Sequence, residues 1–167
     1  MIPGNFIPII KSLSAQCDQL GLTWAFTGSL NLVLWGFELD PHDIDLETDR
    51  FGAEQIDHLH ADQAVWSLHF RESDIMRSYF ARYDFNGIQV EVMGDCQYHL
   101  ADGNWISARP LEKRIRRMIW QGLSLPLLNL EDECEYCRLM GRLEKAERIR
   151  AWLAEHPDPN EMRLEIR

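Results

Sequence analysis

The sequence predicts an α/β fold of the α+β kind, a mixed β-sheet with flanking helices and a helical segment at its C-terminal end. Three observations predict it. An amphipathic run over residues 6–20 leads into an aromatic and β-branched run over 22–27. Acids and aliphatics alternate through Asp43-Ile44-Asp45-Leu46-Glu47, and Asn86-Gly87 joins two further strand-like runs. Helix, strand, helix, strand and then hairpins is the order expected of a sheet of mixed direction.

The elements follow in order. Phe6, Ile9, Ile10, Leu13, Cys17 and Leu20 recur at helical spacing, and Gly21 stands where such a helix stops. Leu22 to Thr27 reads as a buried strand running into Gly28-Ser29, with a short apolar helix from Leu30 to Trp35. Gly36 to His42 is a loop containing Pro41, and Asp43 to Glu47 is the second strand. Residues 53–64 read as helix and 65–70 as strand. Arg77 to Phe85 and Ile88 to Met93 flank Asn86-Gly87, the preferred type I′ hairpin turn, and a weaker hairpin follows at Ala101-Asp102-Gly103. Ile115 to Trp120 reads as a strand, and Glu131 to Glu155 as helix with Asn129 as N-cap and a break at Gly141.

A chain of 167 residues fits one compact domain with a helical extension. The reading divides it into an α/β domain over 1–125, a helical segment packed on it over 126–155, and a flexible tail over 156–167. Its hydrophobic fraction of 46% and charged fraction of 26% are those of a folded globular protein. No stretch approaches the roughly 20 apolar residues of a bilayer span, and the N-terminus lacks a signal peptide's basic and apolar runs. A cytoplasmic protein with no membrane partner is therefore expected.

The net charge of −10, from 17 basic and 27 acidic residues, excludes a globally basic surface for gripping nucleic acid. Arg109, Lys113, Arg114, Arg116 and Arg117 form a local basic cluster. It is either a solvated strand or helix edge or a phosphate-facing patch. Cys134 and Cys137 form a lone C-x-x-C with no second pair at zinc spacing, so packing on one helix face is expected of them.

Strand side chains alternate faces, so Asp43, Asp45 and Glu47 share one face while Ile44 and Leu46 can enter the core. Like charges one pleat apart repel, and a buried set needs a cation to offset the cost. Magnesium suits one or two carboxylates completed by phosphate oxygens. Gly28-Ser29 adds a turn that lets the chain approach a phosphate closely, with a serine hydroxyl beside it. Glu91 lies between Val90 and Val92 and would complete a three-carboxylate cluster if its strand neighbours that of Asp43. Arg77 and Ser78, at the start of the hairpin leading to Glu91, are candidates to reach the same cleft, as are Arg138 and Arg142 from the C-terminal helix. His42 reads as a loop residue, and His58 and His60 do not share a helix face.

Gly28-Ser29, thirteen residues, Asp43-Ile44-Asp45 and a later acid between valines resembles the nucleotidyltransferase superfamily, the DNA polymerase β-like and minimal nucleotidyltransferase type. The specific motifs fall within residues 22–95, and residues 126–150 loosely resemble the helical part of small bacterial members. The resemblance implies a nucleotidyltransferase-like fold and a magnesium-dependent enzyme. Such an enzyme moves a nucleoside monophosphate (NMP) group from a nucleoside triphosphate such as ATP to a hydroxyl acceptor, whether small molecule, protein or tRNA. It gives Asp43 and Asp45 the role of binding two magnesium ions, Glu91 that of completing the site, and Gly28 and Ser29 that of facing the triphosphate. The sequence departs from the pattern in having Glu rather than Asp as third acid, and Glu47 competes on the same strand face. The alternative is a non-catalytic binding module of the same fold acting through a protein partner.

Overall fold

A computed structural model describes residues 1–156. Its helices are α1 (Phe6–Gln19), α2 (Gly28–Leu34), α3 (Arg50–Leu59), α4 (Leu130–Leu139) and α5 (Leu143–Glu155). Its strands are β1 (Trp24–Thr27), β2 (Asp43–Thr48), β3 (Ala64–Glu72), β4 (Met76–Phe85), β5 (Ile88–His99), β6 (Trp105–Ser107), β7 (Ile115–Trp120) and β8 (Leu123–Leu128). They form one mixed sheet in the order β3-β4-β5-β2-β1-β8-β7, with β6 paired to β5. The fold class is the one expected, a mixed sheet with flanking helices and helices at the C-terminal end. No helix among the described residues is long and apolar enough to cross a membrane.

At the sheet's centre β2 runs parallel to β5 and antiparallel to β1. Ile44, Leu46, Val90 and Val92 are fully buried on one face, in a core that includes Ile10, Leu13, Ala53 and Ile56 from α1 and α3. Burying each such aliphatic side chain stabilises the fold by about 1.5–3 kcal/mol. The same alternation obliges Asp43, Asp45 and Glu91 to emerge on the opposite face.

Local chemistry fixes the element ends. Asn86 and Gly87 both have positive φ, 55° and 85°, as the β4–β5 turn requires. The Asn129 side chain caps α4 by accepting from the Asp132 N–H, and the Asp49 side chain caps α3 by accepting from the Gly52 N–H. Cys137 is buried and burial pushes its thiol up to about 11, while the Cys134 thiol donates to the Ala146 carbonyl; both are free.

Two expectations need correction. Residues 123–128 form a strand, so the helical segment expected from residue 126 begins only at Leu130. β8 lies antiparallel to β7 and parallel to β1, where Phe26 faces Leu127. Its Leu-Ser-Leu-Pro-Leu-Leu run gives little alternation, because four consecutive side chains are buried. Within the basic cluster the second correction concerns Arg114 alone. Arg109, Lys113, Arg116 and Arg117 are exposed, with Arg109 paired to Asp132 and Arg117 to Asp18, whereas Arg114 is buried against Glu47. The tail expected at 156–167 lies, from residue 157 on, outside the described residues.

Candidate active site

Gly28 leaves β1 with φ of +70°, and a Cβ there would overlap Asp45 Oδ2 and stand 3.0 Å from Asp45 Cγ. Only glycine permits both the left-handed backbone and this close approach. β1 places Thr27 opposite Asp45, and β5 places Glu91 opposite Asp45 on the other side. Ser29 Oγ donates to Asp43 Oδ1 at 3.4 Å. The expected Gly28, Ser29, Asp43, Asp45 and Glu91 therefore line one cleft of about 260 Å³.

Burial pushes the Asp45 carboxyl well above its ordinary pKa, and the charges of Asp43, Glu91 and Glu133 push it further; Lys145 opposes them. Among the described residues no three Cys, His, Asp or Glu side chains converge closely enough, as placed, to hold a metal ion. Glu91 Oε1 is turned toward Arg82 and Gln89 instead. The donor set is nonetheless a hard-cation set: all oxygen and carrying excess negative charge, with Gly28 allowing the Asp45 carboxylate to pack directly against the turn.

Arg77 and Ser78 do not reach this cleft. Arg77 donates to Gln97 and Glu72 and stacks over Trp105, and Ser78 is buried. The register explains the error, because Arg77 faces Gln97, beyond a bulge, and the arginine facing Glu91 is Arg82. Glu47 borders the cleft but is held in a buried two-point pair by Arg114, at 3.0 and 2.6 Å. Burial raises the Glu47 pKa and Arg114 opposes that rise; burial also works against the Arg114 charge, but Glu47 outweighs it and holds that pKa up. Arg138 pairs with Glu135, whereas Arg142 lines the cleft. His42 is exposed, and His60 is packed between the rings of Tyr83 and Phe85.

Three site residues escaped the sequence reading. Glu133 Oε2 accepts from Thr27 Oγ1 at 2.8 Å, from the Gly28 N–H at 3.2 Å and from Asn31 Nδ2 at 3.2 Å. Lys145 lies 3.6 Å from Glu133 Oε1 and brings a cation to the cleft wall. Arg82 donates to Glu91. Nothing in the sequence separates Glu133 from Glu131, Asp132 and Glu135 around it. The one available signal for Arg82 was its place in the hairpin, since it lies as far before Asn86-Gly87 as Glu91 lies after it.

Comparison with known proteins bears on the family and the fold. The family model described as aminoglycoside-2″-adenylyltransferase matches residues 9–151. The crystal structure of a candidate nucleotidyltransferase from Thermotoga maritima is 33% identical, with a TM-score of 0.80 over 93% of this chain and 96% of that one. The lincosamide antibiotic adenylyltransferase LnuA with lincomycin bound is 11% identical, with a TM-score of 0.52 over 79% of this chain and 84% of that one. ANT(2″)-Ia in complex with adenylyl-2″-tobramycin is 14% identical, with a TM-score of 0.52 over 92% and 99% of the two chains. These last two share the fold. No curated protein shows significant similarity to the chain.

Proposed function

The chain belongs to the aminoglycoside-2″-adenylyltransferase family, and on that premise we propose that this nucleotidyltransferase moves an NMP group from a magnesium-bound nucleoside triphosphate to a hydroxyl of a small-molecule acceptor. The observation that carries this reading is that Asp43, Asp45 and Glu91 line one cleft beside the Gly28 turn, on adjacent strands. Asp43 and Asp45 would hold the magnesium. When bound, the metal supplies charge neutralisation at the α-phosphate and orients it for displacement.

The chain's own residues provide the rest. Lys145 and Arg142 line the cleft from α5 and the turn before it, and they are the cations placed to meet the triphosphate's charge. Gly28, lacking a Cβ, lets the turn close against Asp45, and Gly28 and Ser29 would face the phosphates. The acceptor oxygen attacks the α-phosphorus, the bond from that phosphorus to its bridging oxygen breaks, and pyrophosphate leaves. Glu91, which lines the cleft, would take the hydroxyl proton. Catalysis of this kind rests on positioning and charge stabilisation.

The test is a thermal-shift panel of the four triphosphates with and without magnesium, on the wild type and on Asp43→Asn/Asp45→Asn. Ligand that binds only the folded state raises the melting temperature. A magnesium-dependent rise absent from the variant is expected, followed by pyrophosphate release with an aminoglycoside or lincosamide panel. No shift in the wild type at millimolar nucleotide overturns the enzyme reading in favour of a non-catalytic binding module.

A further inference from the structure

Trp66, Arg82, Glu91, Asp45 and Thr27 are successive cross-strand partners, forming one row across β3, β4, β5, β2 and β1. Directly opposed residues share a face of the sheet, so the row runs from an exposed edge into the cleft. Within it Glu91 is bound unevenly. Arg82 Nε and Nη2 donate to Oε1 at 3.0 and 2.6 Å, and Gln89 Nε2 donates to the same oxygen at 2.8 Å. Among the described residues Oε2 accepts no hydrogen bond from a side chain or backbone group, and the Glu91 side chain lines the cleft. The Arg82 guanidinium in turn lies 4.2 Å from the centroid of the Trp66 ring.

A surface ion pair would not need this arrangement. An arginine and a glutamate free to choose pair through two oxygens, fork to fork. Here three donors crowd one oxygen and the other is spared. We propose that Arg82, seated on Trp66, is a positioning residue that ties Glu91 by Oε1 and presents Oε2 to the magnesium and the acceptor hydroxyl. The proposal rests on the reading of Glu91 as a site carboxylate. It also accounts for a glutamate at this position, because the added methylene gives the side chain length to be anchored at one oxygen and to serve the cleft with the other.

Two physical expectations oppose each other here, which makes the proposal testable. On charge alone, removing a guanidinium beside a cation site strengthens cation binding. On positioning, removing it weakens binding, by about tenfold or more, as for other residues that orient a metal ligand. Manganese(II) binding would be measured by paramagnetic resonance of the free ion, with α,β-methylene ATP present, on the full chain. The set is wild type, Arg82→Gln, Arg82→Lys, Glu91→Gln and the Arg82→Gln/Glu91→Gln double variant, each with its melting temperature.

Arg82→Gln is expected to weaken manganese binding by about tenfold, Arg82→Lys to restore part of it through its remaining donor, and the double variant to match Glu91→Gln alone. A purely structural Arg82 would lower the melting temperature and leave the affinity of the folded protein unchanged. Unchanged or tighter binding by Arg82→Gln, with Glu91→Gln weakened, overturns the proposal and leaves the site reading standing. Unchanged binding by Glu91→Gln, or none by the wild type, overturns the site reading and the proposal with it.

Discussion

Replacing Gly28 with alanine tests the packing of the site directly. Two costs arise from one methyl group. The backbone there has φ of +70°, which costs an L-residue about 1–2 kcal/mol. The new Cβ would overlap Asp45 Oδ2, so the carboxylate or the turn must move, at about 1–3 kcal/mol for overpacking. The sum is about 2–5 kcal/mol, and at roughly 2–4 °C per kcal/mol for a chain of this size the melting temperature should fall by about 4–20 °C. Gly36→Ala is the control, because φ is +97° there but nothing lies within 4 Å of the new Cβ. It should show the backbone cost alone. Calorimetric or urea unfolding of both variants, with Asp45→Ala and Gly28→Ala/Asp45→Ala, forms a cycle in which removing the carboxylate recovers the overpacking share. If Gly28→Ala is no more destabilising than Gly36→Ala, or if the cycle shows no coupling, the contact between Gly28 and Asp45 is not what constrains this position.

Other perturbations separate charge from packing. Glu47→Gln leaves Arg114 buried without its anion and should cost about 3–5 kcal/mol in urea unfolding, whereas Glu47→Leu/Arg114→Met should recover most of that loss. Asp45 has a raised pKa in the fold, so the folded state holds its proton more tightly than the unfolded one; without metal, stability should fall as pH climbs from the ordinary value of 3.8 toward the raised one. Asp45→Asn should flatten that decline in a pH series of melting temperatures, raise stability at neutral pH and abolish the response to magnesium nucleotide. His60 is the reverse case, since burial lowers its pKa below 6.5. The unfolded state then binds the extra proton, and stability present above pH 6.5 should drain away as pH falls below it; His60→Gln should remove this component from the same series.

The parts legible in the sequence were those governed by local rules. Asn86-Gly87 announces its turn because both residues tolerate positive φ; Gln121-Gly122 makes the equivalent turn at 49° and 77°, but glutamine carries no such signal, and β8 went unseen with it. Asp43 and Asp45 stood out because Ile44 and Leu46 must be buried, so the acids had one face left. Register was legible only within the hairpin, where counting outward from Asn86-Gly87 sets Arg82 opposite Glu91. The bulge between Arg77 and Tyr79, and the pairing of β5 with β2 that brings Glu91 beside Asp45, are tertiary and left no local signal. The same holds for Arg114, whose neighbours suggest a solvated cation and whose partner Glu47 lies 67 residues earlier.

The bond from the Gly28 N–H to Glu133 spans 105 residues, and that from Thr27 to the same carboxylate spans 106. Contacts this far apart along the chain are late to close, since the intervening loop's entropy is lost before they contribute. A ribosome that has released residues 1–125 has therefore released every acid of the expected metal site but only the first few residues of β8 and neither of the helices that close the cleft. The nascent chain holds Asp43, Asp45 and Glu91 without Lys145 or Glu133, and competence for nucleotide should arrive abruptly, once α4 and α5 have emerged.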